Sequence, residues 1–258
     1  MPYSIDVLLN DFAIRCFRDT ADGDYVHARL AFRARLAQQF LWSSLHCLEK
    51  YAKGVLLLNR IPCKHVRHEV TPSLKLLRDH GKFEVEFTPA VQNFVEHLES
   101  MAPFRYYEAS YTFEHLDLVR LDCAVWELRR YCQPLDYSIE VSGEEVGQLE
   151  ANLCRIRADA AADKKNTSIE AGWLENVIAT NDHPSRPGLL WQNLYFGRSR
   201  RKRVRLPNVW QGGNAPLWLR PNILDEVLKY VHLPKHVIEA YREFQRQRES
   251  ERGPAARF

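Results

Sequence analysis

The chain has no unbroken run of about 18 apolar residues, which excludes an ordinary membrane-spanning helix. None of its six cysteines (Cys16, Cys47, Cys63, Cys123, Cys132 and Cys154) forms a Cys-x-x-Cys pair with another, so they read as reduced, mostly structural thiols. Excess charge is also missing. With 36 Lys and Arg against 33 Asp and Glu, the formal charge is +3, too small to imply a nucleic-acid partner without local clustering. The opening Met1-Pro2-Tyr3-Ser4-Ile5-Asp6 carries no basic lead and no apolar signal core, so a cytoplasmic protein with no membrane partner is expected. At 258 residues, 45% of them hydrophobic and 27% charged, the chain can bury a full core without disulfides.

The strongest pattern is helical. Leu30, Ala34, Ala37, Leu41, Leu45, Leu48, Ala52 and Val55 fall at steps of three and four, predicting one long helix with a buried face. On its flank, His46, Glu49, Lys50 and Lys53 rise along one stripe, with Glu49 and Lys53 placed to pair at i, i+4. An ordinary solvated face accounts for such a stripe as well as a binding site does.

Pro62 ends this pattern. Thr71-Pro72 predicts an N-cap and first helical residue for a short helix through Leu77, and Thr88-Pro89 opens another with Val91, Phe94, Val95 and Leu98 on its apolar face. Leu118, Leu121, Val125, Leu128 and Cys132 mark a further helix, with Ala124 and Trp126 widening its buried stripe. The expected fold is mainly α, an antiparallel up-and-down bundle over residues 1–135. Residues 136–258 read as a less regular, mostly helical extension. It has a helix over 144–161, a strand or extended segment over 189–196, and a C-terminal helix capped by Asn222 that frays from Arg246.

The order of these elements, with Leu45-His46-Cys47-Leu48-Glu49-Lys50-Tyr51-Ala52-Lys53-Gly54-Val55-Leu56-Leu57, resembles the HEPN family, helical domains named for nucleotide binding in higher eukaryotes and prokaryotes. His68-Glu69-Val70-Thr71-Pro72-Ser73-Leu74-Lys75-Leu76-Leu77 is similar to the histidine and leucine-rich helix that follows in relatives, and Arg105-Tyr106 to a later Arg-Tyr pair. The resemblance covers about residues 25 to 135. It implies a commonly dimeric bundle, in a family that includes metal-independent ribonucleases, nucleotide-binding partners of nucleotidyltransferases and inactive scaffolds. The ribonucleolytic Arg-x(4 to 6)-His signature has one match, Arg60 to His65, and Pro62 lies between the two residues.

Cleavage of RNA without metal needs a base or acid near the reacting hydroxyl and cations for the developing phosphorane charge. His68 suits the first role because histidine titrates near neutral pH. Arg105 suits a bidentate phosphate contact. These two are the candidate catalytic residues, with His46, Glu49, Lys50, Lys53 and Tyr106 as candidate nucleotide or RNA contacts. Cys63, His65 and His68 gather possible metal ligands, but no second half with zinc spacing follows, so no metal site or cofactor is expected.

The densest charge lies elsewhere. Arg198, Arg200, Arg201, Lys202, Arg203 and Arg205 place six cations in eight residues, flanked by Tyr195, Phe196 and Trp210. Cations beside aromatics suit a phosphate track on which bases stack, so Arg200, Arg201 and Arg203 join the candidate contacts. Gly212-Gly213 lacks a following Lys-Ser or Lys-Thr and reads as a flexible turn rather than a phosphate loop.

The resulting expectation is a nucleotide- or RNA-binding, HEPN-like homodimer, with a metal-independent endoribonuclease of toxin or defence type as its catalytic version. The alternative is a noncatalytic helical module for dimerisation or for a partner protein.

Overall fold

A computed structural model describes residues 3–66, 69–101, 110–161, 172–197, 201 and 203–251, without the side chains of 159–161, 249 and 251. The chain is mainly helical, as expected. Ser4 caps α1 (Ile5–Ala13), its hydroxyl accepting from the Val7 N–H at 3.4 Å. α1 passes through a π-helical turn, Ile14–Arg18, into α2 (Asp19–Arg33).

The periodicity from Leu30 to Val55 predicts a single helix, and the structure breaks it. α2 stops at Arg33, Arg35 takes φ of 58°, and α3 (Ala37–Leu58) starts afresh. The pattern hides the break because Ala34 and Ala37 keep the helical spacing on both sides of the turn. A turn this short folds α3 back on α2 as a helical hairpin. Tyr25, Val26, Ala28 and Phe32 then share a core with Phe40, Leu41, Leu45 and Leu48. Each large apolar side chain buried there contributes about 1.5–3 kcal/mol. α3 also runs close against the π-helical turn. A Cβ on Gly54 would lie 3.2 Å from the Phe17 Cβ, so only glycine fits without displacement.

Arg60, again in the left-handed region at φ of 58°, terminates α3. Its guanidinium reaches back to Asp6 and Asn10 of α1, each at 3.0 Å. The Arg60–His65 match therefore lies beyond the helix, with Arg60 committed to α1.

α4 (Thr71–His80) has Pro72 in its first turn, but Thr71 is already helical and Val70 precedes it. The first N–H groups are met from outside. The Glu99 carboxylate, on α5 (Pro89–Met101), accepts from Val70 N–H at 2.6 Å, Thr71 N–H at 2.8 Å and the Thr71 hydroxyl at 2.7 Å. In α5 the predicted face, Val91, Phe94, Val95 and Leu98, is buried. After β1 (Tyr111–Glu114), α6 (Leu116–Arg129) buries Leu118, Leu121, Val125 and Leu128 as the spacing predicts. It also buries Asp117, Asp122, Glu127 and Arg129, which the spacing does not predict.

The expected helix over 144–161 begins late. β2 (Ser138–Val141) and β3 (Glu144–Gly147) form an antiparallel hairpin, and α7 (Leu149–Ala161) follows. Ser142 and Gly143, at φ of 55° and 85°, supply the two left-handed turn residues that such a hairpin requires. α8 (Trp173–Ala179) and α9 (Arg186–Leu190) come next, so the start of the 189–196 segment is helical rather than a strand. β4 (Trp210–Gly213) pairs antiparallel with β1, with Tyr111 opposite Gly213 and Glu114 opposite Trp210. Gly212-Gly213 thus sits in a strand, not a loose turn.

α10 (Pro216–Leu219), a 3-10 turn over Pro221–Ile223 and α11 (Leu224–Val227) precede α12 (Lys235–Glu251), which continues well past Arg246. Asn222 lies inside the 3-10 turn instead of capping the last helix. One apolar cluster joins residues on both sides of position 135, from Ala21 to Val209. A second, smaller one joins Ala215, Leu217, Leu224, Leu233, Val237 and Tyr241. Among the described residues no helix is long and apolar enough to cross a membrane.

Candidate functional site

Two buried ionic networks set the frame. On α2, Asp22 takes the Arg129 guanidinium of α6, and Arg129 also reaches Glu175 of α8 at 2.7 and 2.8 Å. One helical turn or two further along α2, Tyr25 donates to Asp122 of α6 at 2.6 Å, and Arg29 bonds Asp122 and the carbonyls of Gly188 and Trp191. Burial pushes the Asp122 carboxyl above its ordinary range, and Arg29 with its hydrogen bond opposes that shift. Asn193 completes the network, donating to the Tyr25 hydroxyl at 2.8 Å and accepting from the Tyr195 and Phe196 N–H groups at 2.9 and 2.8 Å. The segment that carries the basic cluster therefore leaves the core from a fixed point.

The α3 stripe is built into the bundle. Lys53 holds Glu49 at 2.6 Å, and Lys50 holds Asp24 of α2 at 2.6 Å. Glu49 is buried, and half-buried His46 lies against Trp42 with ring centroids 4.0 Å apart. Both lysines thus have acid partners, and the stripe joins α2 to α3. His68, Arg105, Tyr106 and Arg200 lie outside the described residues.

Arg201 and Arg203 are exposed, as is Arg205, and none of the three meets an acid among the described residues. Leu206 packs on the main core and Val209 is buried in it, while the Arg205 N–H donates to the Gln192 side-chain oxygen at 3.0 Å. The backbone is thereby held from Arg205 to Val209, while the side chains of Arg201, Arg203 and Arg205 are exposed. The flanking aromatics divide. Phe196 is buried against Tyr25, with centroids 5.5 Å apart, and Tyr195 lines a cavity. Trp210 on β4 is 72% exposed, its indole lying over Gly212, where an added Cβ would meet it at 2.9 Å.

That cavity, of about 520 Å³ and open to solvent on one side, is lined by the 86–88 segment, α6, α7 and Tyr195. Trp126 and Tyr195 stack along one wall, centroids 5.8 Å apart and planes 29° off parallel. Arg130 sits over Trp126 at 5.7 Å. Glu127 is occupied. Its carboxylate accepts from the Thr88 N–H and hydroxyl, each at 2.9 Å, and from the Cys123 thiol at 3.3 Å. Burial pushes the Cys123 thiol up to about 11, so it is protonated at neutral pH and not a nucleophile there. Sequence reading missed this site and took Trp126 for core, because the residues that line it are dispersed from Glu86 to Tyr195 with no local signature.

Comparison with protein-family models, with curated proteins and with solved structures gives no match.

Proposed function

We propose that this helical protein binds single-stranded RNA along the segment that ends in β4. The observation that supports this reading is the grouping of Arg201, Arg203 and Arg205, exposed and without acid partners among the described residues, just before a solvent-facing Trp210. Exposed guanidinium groups neutralise phosphates, and an open indole offers a face to any base. Most other cations near the bundle centre already hold carboxylates. RNA is the partner this reading favours over a protein surface.

A salt titration with labelled single-stranded RNA tests it. Affinity should fall linearly in log salt, and replacing the three arginines with glutamine should lower that slope by about 2, at about 0.7 per lost phosphate contact. Trp210→Ala should weaken binding by about 1–3 kcal/mol if one base stacks there. A flat salt response removes the proposal. The ribonuclease version is tested separately by incubating RNA in chelator with the wild type, His68→Ala and Arg105→Ala. Equal cleavage by all three, or none by any, removes that version.

A further inference from the structure

Three of the buried arginines have acid partners: Arg18 with Asp19, Arg29 with Asp122, and Arg129 with Asp22 and Glu175. Arg130 does not. It is 8% exposed, and its Nε and Nη1 donate only to the carbonyls of Glu127 and Ile156, at 3.4 and 3.3 Å. Nη2 has no partner among the described residues. Arginine is seldom buried to this degree unless paired. The carboxylate of the adjacent acid, Glu127, is directed to Thr88 and Cys123 and not to the Arg130 guanidinium. Arg130 lines the 520 Å³ cavity, beside the stacked Trp126 and Tyr195, with exposed Arg157 at the same cavity. Small-ligand sites run from about 300 to 1,000 Å³ and combine an apolar or aromatic wall with a few convergent polar groups.

We infer that this cavity is a binding site for a small planar aromatic carboxylate. The ring lies along Trp126 and Tyr195, and the carboxylate meets Arg130, the geometry for which a planar guanidinium is suited. Charge sets the limit. The lining carries two bases, Arg130 and Arg157, and two acids, Glu86 and Glu127, so it has no net positive charge to hold a polyanion, and a single carboxylate is held by its direct contact with Arg130. The site uses none of the residues assigned to RNA, and it stands or falls separately from that proposal.

Calorimetric titration of the full chain with indole-3-acetate and benzoate tests the inference, with indole, acetate and adenosine monophosphate as controls. Expected is saturable binding of at least one carboxylate, with each control weaker by at least about tenfold, the loss that follows removal of the ring or the charge match. Arg130→Met keeps the packed stem and should lose about tenfold or more in affinity, with its urea midpoint at or above wild type because an unpaired charge has gone. Should that variant fail to fold, Arg157→Gln provides the same comparison on an exposed position, with a smaller loss in the same direction. The inference is overturned if neither carboxylate binds saturably, if a control binds as tightly, or if the variants bind like wild type.

Discussion

Arg129 grips Asp22 through two parallel hydrogen bonds, Nε to Oδ1 at 2.7 Å and Nη2 to Oδ2 at 2.9 Å, both side chains buried and 107 positions apart. Tyr51 of α3 donates its hydroxyl to the same Oδ1, and the Leu174 N–H at the start of α8 donates to Oδ2 at 3.3 Å. One carboxylate thus ties α2 to α3, α6 and α8.

Asp22→Asn keeps the shape and removes the charge. Breaking one side of a buried pair costs about 3–5 kcal/mol, since the partner is left uncompensated. A urea melt of this variant should show a loss in that range. A loss below about 1 kcal/mol would mean that Glu175 alone satisfies Arg129.

Lys50→Ala combined with Lys53→Ala should leave RNA affinity within about twofold of wild type, because both lysines are held by Asp24 and Glu49. A fall as large as that of the Arg201, Arg203 and Arg205 variant would return the α3 stripe to the binding surface.

Alkaline pH should unfold the protein early. Burial, reinforced by neighbouring carboxylates, raises Tyr25, Tyr51 and Cys47 well above their ordinary values, and burial raises Cys123 to about 11. Each group holds its proton more tightly when folded, so the unfolded chain releases protons first. The associated stability is complete below about pH 8 and falls as pH rises through 9 to 11 and beyond. Urea midpoints at pH 8, 9.5 and 10.5 should decline in that order. A constant midpoint would contradict the burial of these groups.

Gly54→Val should destabilise by about 1–3 kcal/mol through overpacking against the π-helical turn, where even one Cβ would lie 3.2 Å from the Phe17 Cβ. Thermal melting measures it. A neutral result would show that the turn relaxes to an ordinary α-helix with little cost.

The core faces of α5 and α6 were legible from spacing, because burial of every third or fourth side chain is a local property of a helix. So was the basic run at 198–205. The break at Arg35 was not, since helical spacing survives a turn of the right length. Nor was the fate of Glu49, Lys50 and Lys53. Their spacing suits a binding stripe and a structural one equally, and Asp24, which claims Lys50, lies on another helix.

By itself the sequence determined that the chain is helical and apolar on defined faces, and where its cations concentrate. Composition and short-range period are enough for that. The tertiary structure alone decided which charges are spent and which remain. Asp22 with Arg129, Asp122 with Arg29, and Arg130 without an acid partner among the described residues differ only in what distant segments bring within about 3 Å, the range in which a buried ion pair forms. That distinction separates a cation that holds the fold from one left to meet a ligand.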